Sequence, residues 1–251
     1  MSKTIAASMK QAILCRSFLI ALLGMAAVIL LSGVESLLAA FRSENLLSYG
    51  THMELLLAAL SSNGCMLALP VLCTLPYTTA YVDDSKSGYI KAYLPRSGLG
   101  QYIAGKTAAC GFSGGLCVLL GAIIGYIVLT LLLLPKEAVG KPMEGIALRV
   151  AEKLMLIFTS GAFWSLVGFL LASITKSRYM AYAGPFVICY VLVILYERYF
   201  DKLYVLYPKE WLNPSPHWAF GAWGAVILLF MFAGIVCCIF ALWVRRKLVE
   251  P

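Results

Sequence analysis

TAACGFSGGLCVLLGAIIGYIVLTLLLL, residues 107–134, runs for 28 residues without a charged side chain. As a helix it would reach about 40 Å, more than the ~30 Å hydrocarbon thickness of a bilayer. Five further apolar runs, at 17–41, 55–82, 154–175, 180–196 and 219–244, share its character. Backbone amides cannot be left unpaired in hydrocarbon, and runs this continuous lack the alternation of barrel strands. The expected fold is therefore an all-α polytopic membrane protein with six transmembrane helices in a single transmembrane domain. Composition agrees: 61% of the 251 residues are hydrophobic and 13% charged, against about 45–50% and 25% in soluble domains. Six spans leave too little chain for a soluble catalytic domain.

The net charge of +8 does not indicate nucleic acid, because no basic stripe interleaved with aromatics lies outside the apolar runs. It reads instead as orientation. With six spans both termini share a side, and that side carries 12 of the 20 basic residues, among them Lys3, Lys10, Arg16, Lys86, Lys106, Lys176, Arg178 and Arg245. Both termini are thus expected in the cytoplasm, with the protein multi-pass in a cell membrane, a bacterial plasma membrane. The basic start resembles a secretory signal, yet its apolar run is too long and five more follow, so it reads as a retained helix. Within 1–16, Ile5, Met9, Ala12, Ile13 and Leu14 share one helical face and Lys3, Lys10 and Gln11 another. That pattern predicts an interfacial helix on membrane lipid ahead of the first span.

All eight cysteines lie within or beside apolar runs, without the histidines or carboxylates of a metal site. Glu35 is the one carboxylate inside a span. A buried carboxylate suggests a transport path, but Glu35 lies about 27 Å along the helix from Arg16, near the outer headgroups. Both readings stand. Glycine pairs four apart, Gly111 with Gly115 and Gly121 with Gly125, predict close packing of the third span inside the bundle or against a second copy.

Two catalytic patterns match by letter. Gly100, Gly105, Lys106 and Thr107 fit the phosphate-loop spacing, but the helix that follows is a membrane span and no sheet can form around it. A glycine hinge with Lys106 anchoring the inner end of the third span is the expected structure. Gly111, Phe112, Ser113 and Gly114 match the G-x-S-G of rhomboid-like intramembrane serine proteases. Such an enzyme needs a histidine beside Ser113. His52 and His217, the two histidines of the chain, both fall on the opposite side of the membrane.

The inside loop 83–106 is the most informative stretch. It opens with Asp83 and Asp84, turns at Ser87 and Gly88, and then presents Tyr89, Ile90, Tyr93 and Leu94 beside charges, followed by Arg96. Apolar side chains on a cytoplasmic loop suggest docking to another protein. An amphipathic helix lying on headgroups is the competing reading. This arrangement resembles the permease subunits of the type-2 family of ABC exporters. Those proteins have six spans in a similar length, an interfacial helix before the first, and an acidic-x-x-Ser-Gly segment after the second. On that likeness Asp84, Ser87 and Gly88 match the motif, and Tyr89 to Leu94 match a coupling helix that docks on a separate ATPase. Arg96 matches the turn after it, and Lys106 the opening of the third span. The chain departs from the family in having Asp83 and Asp84 where glutamate is common, and Lys86 beside the turn.

A second, weaker likeness is YPKEWLNPSPHW at 207–218. In the family this region forms short helices that dip into the outer leaflet. The prolines break regular helix here, and Trp211, Trp218 and Trp223 also suit a plain aromatic belt. The resemblance implies a permease subunit of an exporter with no ATPase site of its own. Its partners would be cytoplasmic ABC ATPase subunits, which carry the ATP and magnesium, and a second permease copy. Substrates would be hydrophobic or amphipathic: peptide, drug-like or lipid-like. The alternatives are a membrane anchor or sensor that recruits a cytoplasmic partner without transport, and, third, a rhomboid-like protease.

Overall fold

A computed structural model describes residues 2–42, 46–90, 98–138, 140, 145–200, 203–218 and 220–249, with side chains from Ile5 to Lys247. Its helices are α1 Ser2–Ile13, α2 Arg16–Ser32, α3 Val34–Arg42, α4 Thr51–Leu60, α5 Asn63–Leu72, α6 Ala80–Lys86, α7 Leu99–Leu133, α8 Ile146–Thr175, α9 Arg178–Arg198, α10 Pro208–Leu212 and α11 Ala222–Val249. Among the described residues no strand forms; one isolated bridge joins Leu47 to Glu137. The fold is all-α and polytopic. Four helices are long and apolar enough to cross a membrane, or up to six if each of two bent pairs counts as one span.

Two of the long helices start well ahead of where the sequence predicts. α7 begins at Leu99 and α8 at Ile146, eight residues ahead of each expected start. Lys106 and Lys153 had marked those starts, on the premise that charges stay in loops. Each instead lies inside its helix, where partners from other segments hold it: the Asp84 carboxylate for Lys106 and neutral oxygens for Lys153.

The first two expected spans are broken rather than continuous. α4 meets α5 at a 64° bend, whereas the 56° bend between α1 and α2 falls at the expected boundary between the leading helix and the first span. Between α2 and α3 the helix is interrupted at Gly33. The α4–α5 break has a chemical cause: Ser62 is extended, and its hydroxyl accepts the N–H of Cys65, capping a new helix rather than continuing the old one. Pro70 and Pro76 remove two further backbone donors, and the chain turns through 73–79 before α6.

α7 is the centre of the bundle, packed against α8 on one side and α2 on another, with α9 and α11 flanking α8. Small residues make this possible. A Cβ on Gly115 would lie 2.6 Å from the carbonyl oxygen of Phe158, and one on Gly121 would lie 2.7 Å from that of Leu22. Gly115 thus opens α7 to α8, and Gly121 opens it to α2. Both glycine faces are used within this chain. Met25, Ile29, Leu56, Leu69 and Trp164 fill the core between them.

Substituting Gly121 by Ala should destabilise the protein by about 1–3 kcal/mol, since the new atom meets backbone that cannot rotate away. Gly234→Ala on α11, where nothing lies within 4 Å of the added atom, should leave melting in detergent unchanged or slightly raised. Equal melting of the two variants would contradict the close α2–α7 contact.

Candidate functional site

α6 carries the acidic pair, and its end explains the Ser-Gly that follows. The N–H of Ser87 donates to Asp83 O at 3.0 Å, and Gly88 adopts φ +71, the left-handed conformation that closes a helix and that side chains resist. Tyr89 and Ile90 then resume helix. Tyr89 is exposed as expected, whereas Ile90 is turned inward against Tyr102 and Ile103. That burial corrects the expectation that Ile90 belongs to an outward docking face; the apolar side chain finds cover within the chain itself. Tyr93, Leu94 and Arg96 lie outside the described residues.

Asp83 and Asp84 reach in different directions. Asp84 Oδ2 lies 2.8 Å from Lys106 Nζ and accepts the Tyr102 hydroxyl at 2.8 Å. Lys106, one of the most buried polar residues at 5% exposure, also donates to the Tyr77 hydroxyl at 3.0 Å, and Tyr77 donates to Gln11 Oε1 at 3.2 Å. A continuous polar chain thus links α6, the turn after α5, α7 and α1. Between these segments lies a cavity of about 290 Å³, lined by Ser8, Gln11, Asp84, Ser87, Tyr89 and Lys106. Asp83 faces the other way: its Oδ1 accepts from Arg178 Nε at 2.8 Å, at the first residue of α9, and its Oδ2 accepts from Thr79 at 3.1 Å. The acidic pair therefore ties one short helix to both α7 and α9.

The phosphate-loop residues take no loop form. Gly100, Gly105, Lys106 and Thr107 are all helical, and the chain breaks at Gly98, φ +75, rather than at the expected glycine hinge. With its amides spent in helix, the segment offers no cradle of N–H groups. Ser113 donates to the Cys110 carbonyl at 3.2 Å. It does not meet His52, which sits with Glu137.

That His52–Glu137 pair had no signal in the sequence. Glu137 accepts from the N–H groups of Gly50 and His52 at 3.1 and 2.8 Å, and lies 2.8 Å from His52 Nδ1. Burial alone would raise the Glu137 carboxyl, but the bonds from the His52 ring and the two amides outweigh it and hold it below its ordinary range. At the other end of α4, Lys153 donates to Ser61 Oγ at 2.9 Å, to Leu212 O at 2.8 Å and to Asn213 Oδ1. α10 is pinned onto the bundle at this point. Trp211 is buried against Phe163 and Trp164, its indole donating to Val205 O at 2.8 Å, and Trp218 donates to Glu210 at 3.1 Å. Of the three tryptophans read as a belt, only Trp223 is exposed. Glu35 occupies the first turn of α3, where the helix dipole favours an acid, and is exposed.

The chain matches no protein-family model, no curated protein and no solved structure.

Asp84→Asn leaves Lys106 buried without its counter-ion and should cost about 2–3 kcal/mol, read as a lowered melting temperature, with Lys106→Met in the same chain restoring part of it. Asp83→Asn, at an exposed pair, should cost under about 1 kcal/mol. If the two single variants melt alike, Asp84 is not the anchor. Glu137 has a lowered pKa, so its stabilisation is present above the ordinary carboxylate range and is lost as pH falls through the lowered value. Glu137→Gln should therefore melt well below the unaltered protein at neutral pH, with the gap closing only in acid; a gap independent of pH would remove the ionic account.

Proposed function

We propose that this chain is the membrane-spanning subunit of an ATP-driven exporter, powered by separate ABC ATPase subunits and paired with a second copy to enclose a path. The observation that supports this reading most is the forked acidic pair. A helix that ends at Ser87–Gly88 and exposes Tyr89 is tied through Asp84 to Lys106 on α7 and through Asp83 to Arg178 on α9. Force applied to that loop by a docked ATPase would pass to both helices without needing flexible chain between them.

In this reading six spans cross a plasma membrane, with both bent pairs near its surfaces and both termini in the cytoplasm. α1 lies along the inner leaflet, and the ATPase would dock where Tyr89 is exposed, with Tyr93, Leu94 and, after them, Arg96 as the further coupling residues that the resemblance implies. α10 and the turns around it cap the outer end. ATP closure of the ATPase pair would shift α7 and α9 relative to α8, changing access from inward to outward. The chain's own contribution is mechanical: it holds Asp84 against Lys106 through the cycle and lets the weaker, exposed Asp83–Arg178 pair break and re-form. Few fixed charges face the interior of the bundle, which suits hydrophobic or amphipathic cargo over ions and sugars.

Reversing Asp83 to Arg should uncouple the subunit, with the ATPase still bound but its hydrolysis no longer driving export from inverted vesicles. Adding Arg178→Asp in the same chain restores the pair with swapped charges and should recover export. Full export by the single variant would defeat the coupling role of this pair. Partner binding with no ATP-dependent transport by any form would favour the anchor reading.

A further inference from the structure

At the end of the bundle opposite Asp84, a cavity of about 360 Å³ opens beside the α4–α5 break, lined by Arg149, Glu152, Lys153 and Asn213 over an apolar floor of Leu57 and Leu156. Its charges are unbalanced. Lys153 is 6% exposed, and its three protons go to neutral acceptors on Ser61, Leu212 and Asn213. Among the described residues no carboxylate lies within 4 Å of its ammonium. Dipoles alone hold this buried cation, so its field reaches the cavity through low-dielectric walls with little screening.

Arg149 is one helical turn earlier and exposed, and its guanidinium has neither an ion pair nor a hydrogen bond among the described residues. Asn213 gives its carbonyl to Lys153 and Ser61, and its amide nitrogen has no partner there either. α11 begins at Ala222 on the rim, adding the positive end of a long helix. Glu152 is the one acid in the lining. Five free guanidinium protons and an amide beside a buried cation suit a tetrahedral oxyanion, which Arg grips through two oxygens.

The surroundings add the second half of the ligand. An apolar notch between Met155, Trp223 and Val226 adjoins the cavity, sharing Glu152 and Ala222 with it. Trp223 and Met155 are both exposed there. A polar cavity running into an apolar notch at the end of membrane helices fits an amphiphile rather than a free solute.

We propose that this cavity binds the phosphate of an anionic phospholipid, held by the Arg149 guanidinium and the Asn213 amide in the field of Lys153, with an acyl chain leaving along Met155 and Trp223. This site does not rest on the exporter reading.

The test uses the purified full chain in neutral detergent, with lipid retention followed by native mass spectrometry and melting followed in parallel. Phosphatidylglycerol, phosphatidylcholine and inorganic phosphate are added separately. Phosphatidylglycerol should be retained and should raise the melting temperature, with the other two inert at the same concentration. Arg149→Gln, which removes no hydrogen bond or ion pair seen among the described residues, should melt normally without lipid and hold phosphatidylglycerol about tenfold more weakly. Arg198→Gln, removing an exposed charge from the same end, should bind as the unaltered chain does. Protection by inorganic phosphate that Arg149→Gln abolishes would uphold the phosphate site and overturn the lipid as its source. Equal retention of the two lipids, or undiminished binding by Arg149→Gln, would overturn the proposal.

Discussion

A lysine buried in an apolar helix bundle has to find an anion or a shell of dipoles, and the position of Lys106 governs how one end of the bundle is built. It lies two turns into α7, nearly out of solvent, and its counter-ion comes from a different segment 22 residues earlier. To reach it, α6 must end close to α7. The Tyr102 hydroxyl then completes the carboxylate's hydrogen bonding, and Tyr77 carries the network on to α1. A buried pair of this kind adds little net stability compared with apolar packing. Its effect is to make one placement of the loop far cheaper than any other.

The opposite end handles the same problem differently. Lys153 is buried as deeply, yet oxygen dipoles from the α4–α5 break and from the end of α10 surround it in place of a carboxylate. His52 and Glu137 close the neighbouring corner, joining the start of α4 to the chain leaving α7. Contacts of charged side chains thus concentrate toward the two ends, and the middle is held by glycine-assisted packing around α7 with a Ser165–Cys110 hydrogen bond between α7 and α8. A bundle tied at its ends and smooth in the middle suits sliding of helices past one another more than hinge motion within them.

The apolar runs made the helical class legible, because length and lack of charge are local properties. The small-residue faces of α7 were legible for the same reason. Helix starts were not: Lys106 and Lys153 look like loop residues until their partners are known, and Asn213 lies 60 residues from Lys153. The α4–α5 break was hidden inside an apolar run, where Ser61, Ser62, Asn63 and Gly64 gave the hint. Ser87 and Gly88 read correctly as a turn, since a left-handed residue is a local demand. Ile90 did not read correctly, because its periodicity cannot tell a face turned to a partner from one turned to α7. His52 and Glu137 are 85 residues apart, one in the first turn of α4 and the other just past α7, so nothing short of the fold brings them together.

In the proposed exporter, energy would enter the chain at the segment after Gly88. The most direct measurement is vanadate-sensitive ATP hydrolysis by the protein drawn from its own membranes in intact lipid discs. The account predicts that ATPase subunits come with the chain and hydrolyse ATP, and that Tyr89→Ala with Asp83→Lys releases them while leaving the helices folded. Recovery of the folded chain from those membranes without an ATPase, or with one that the doubly altered chain retains in full, would contradict it.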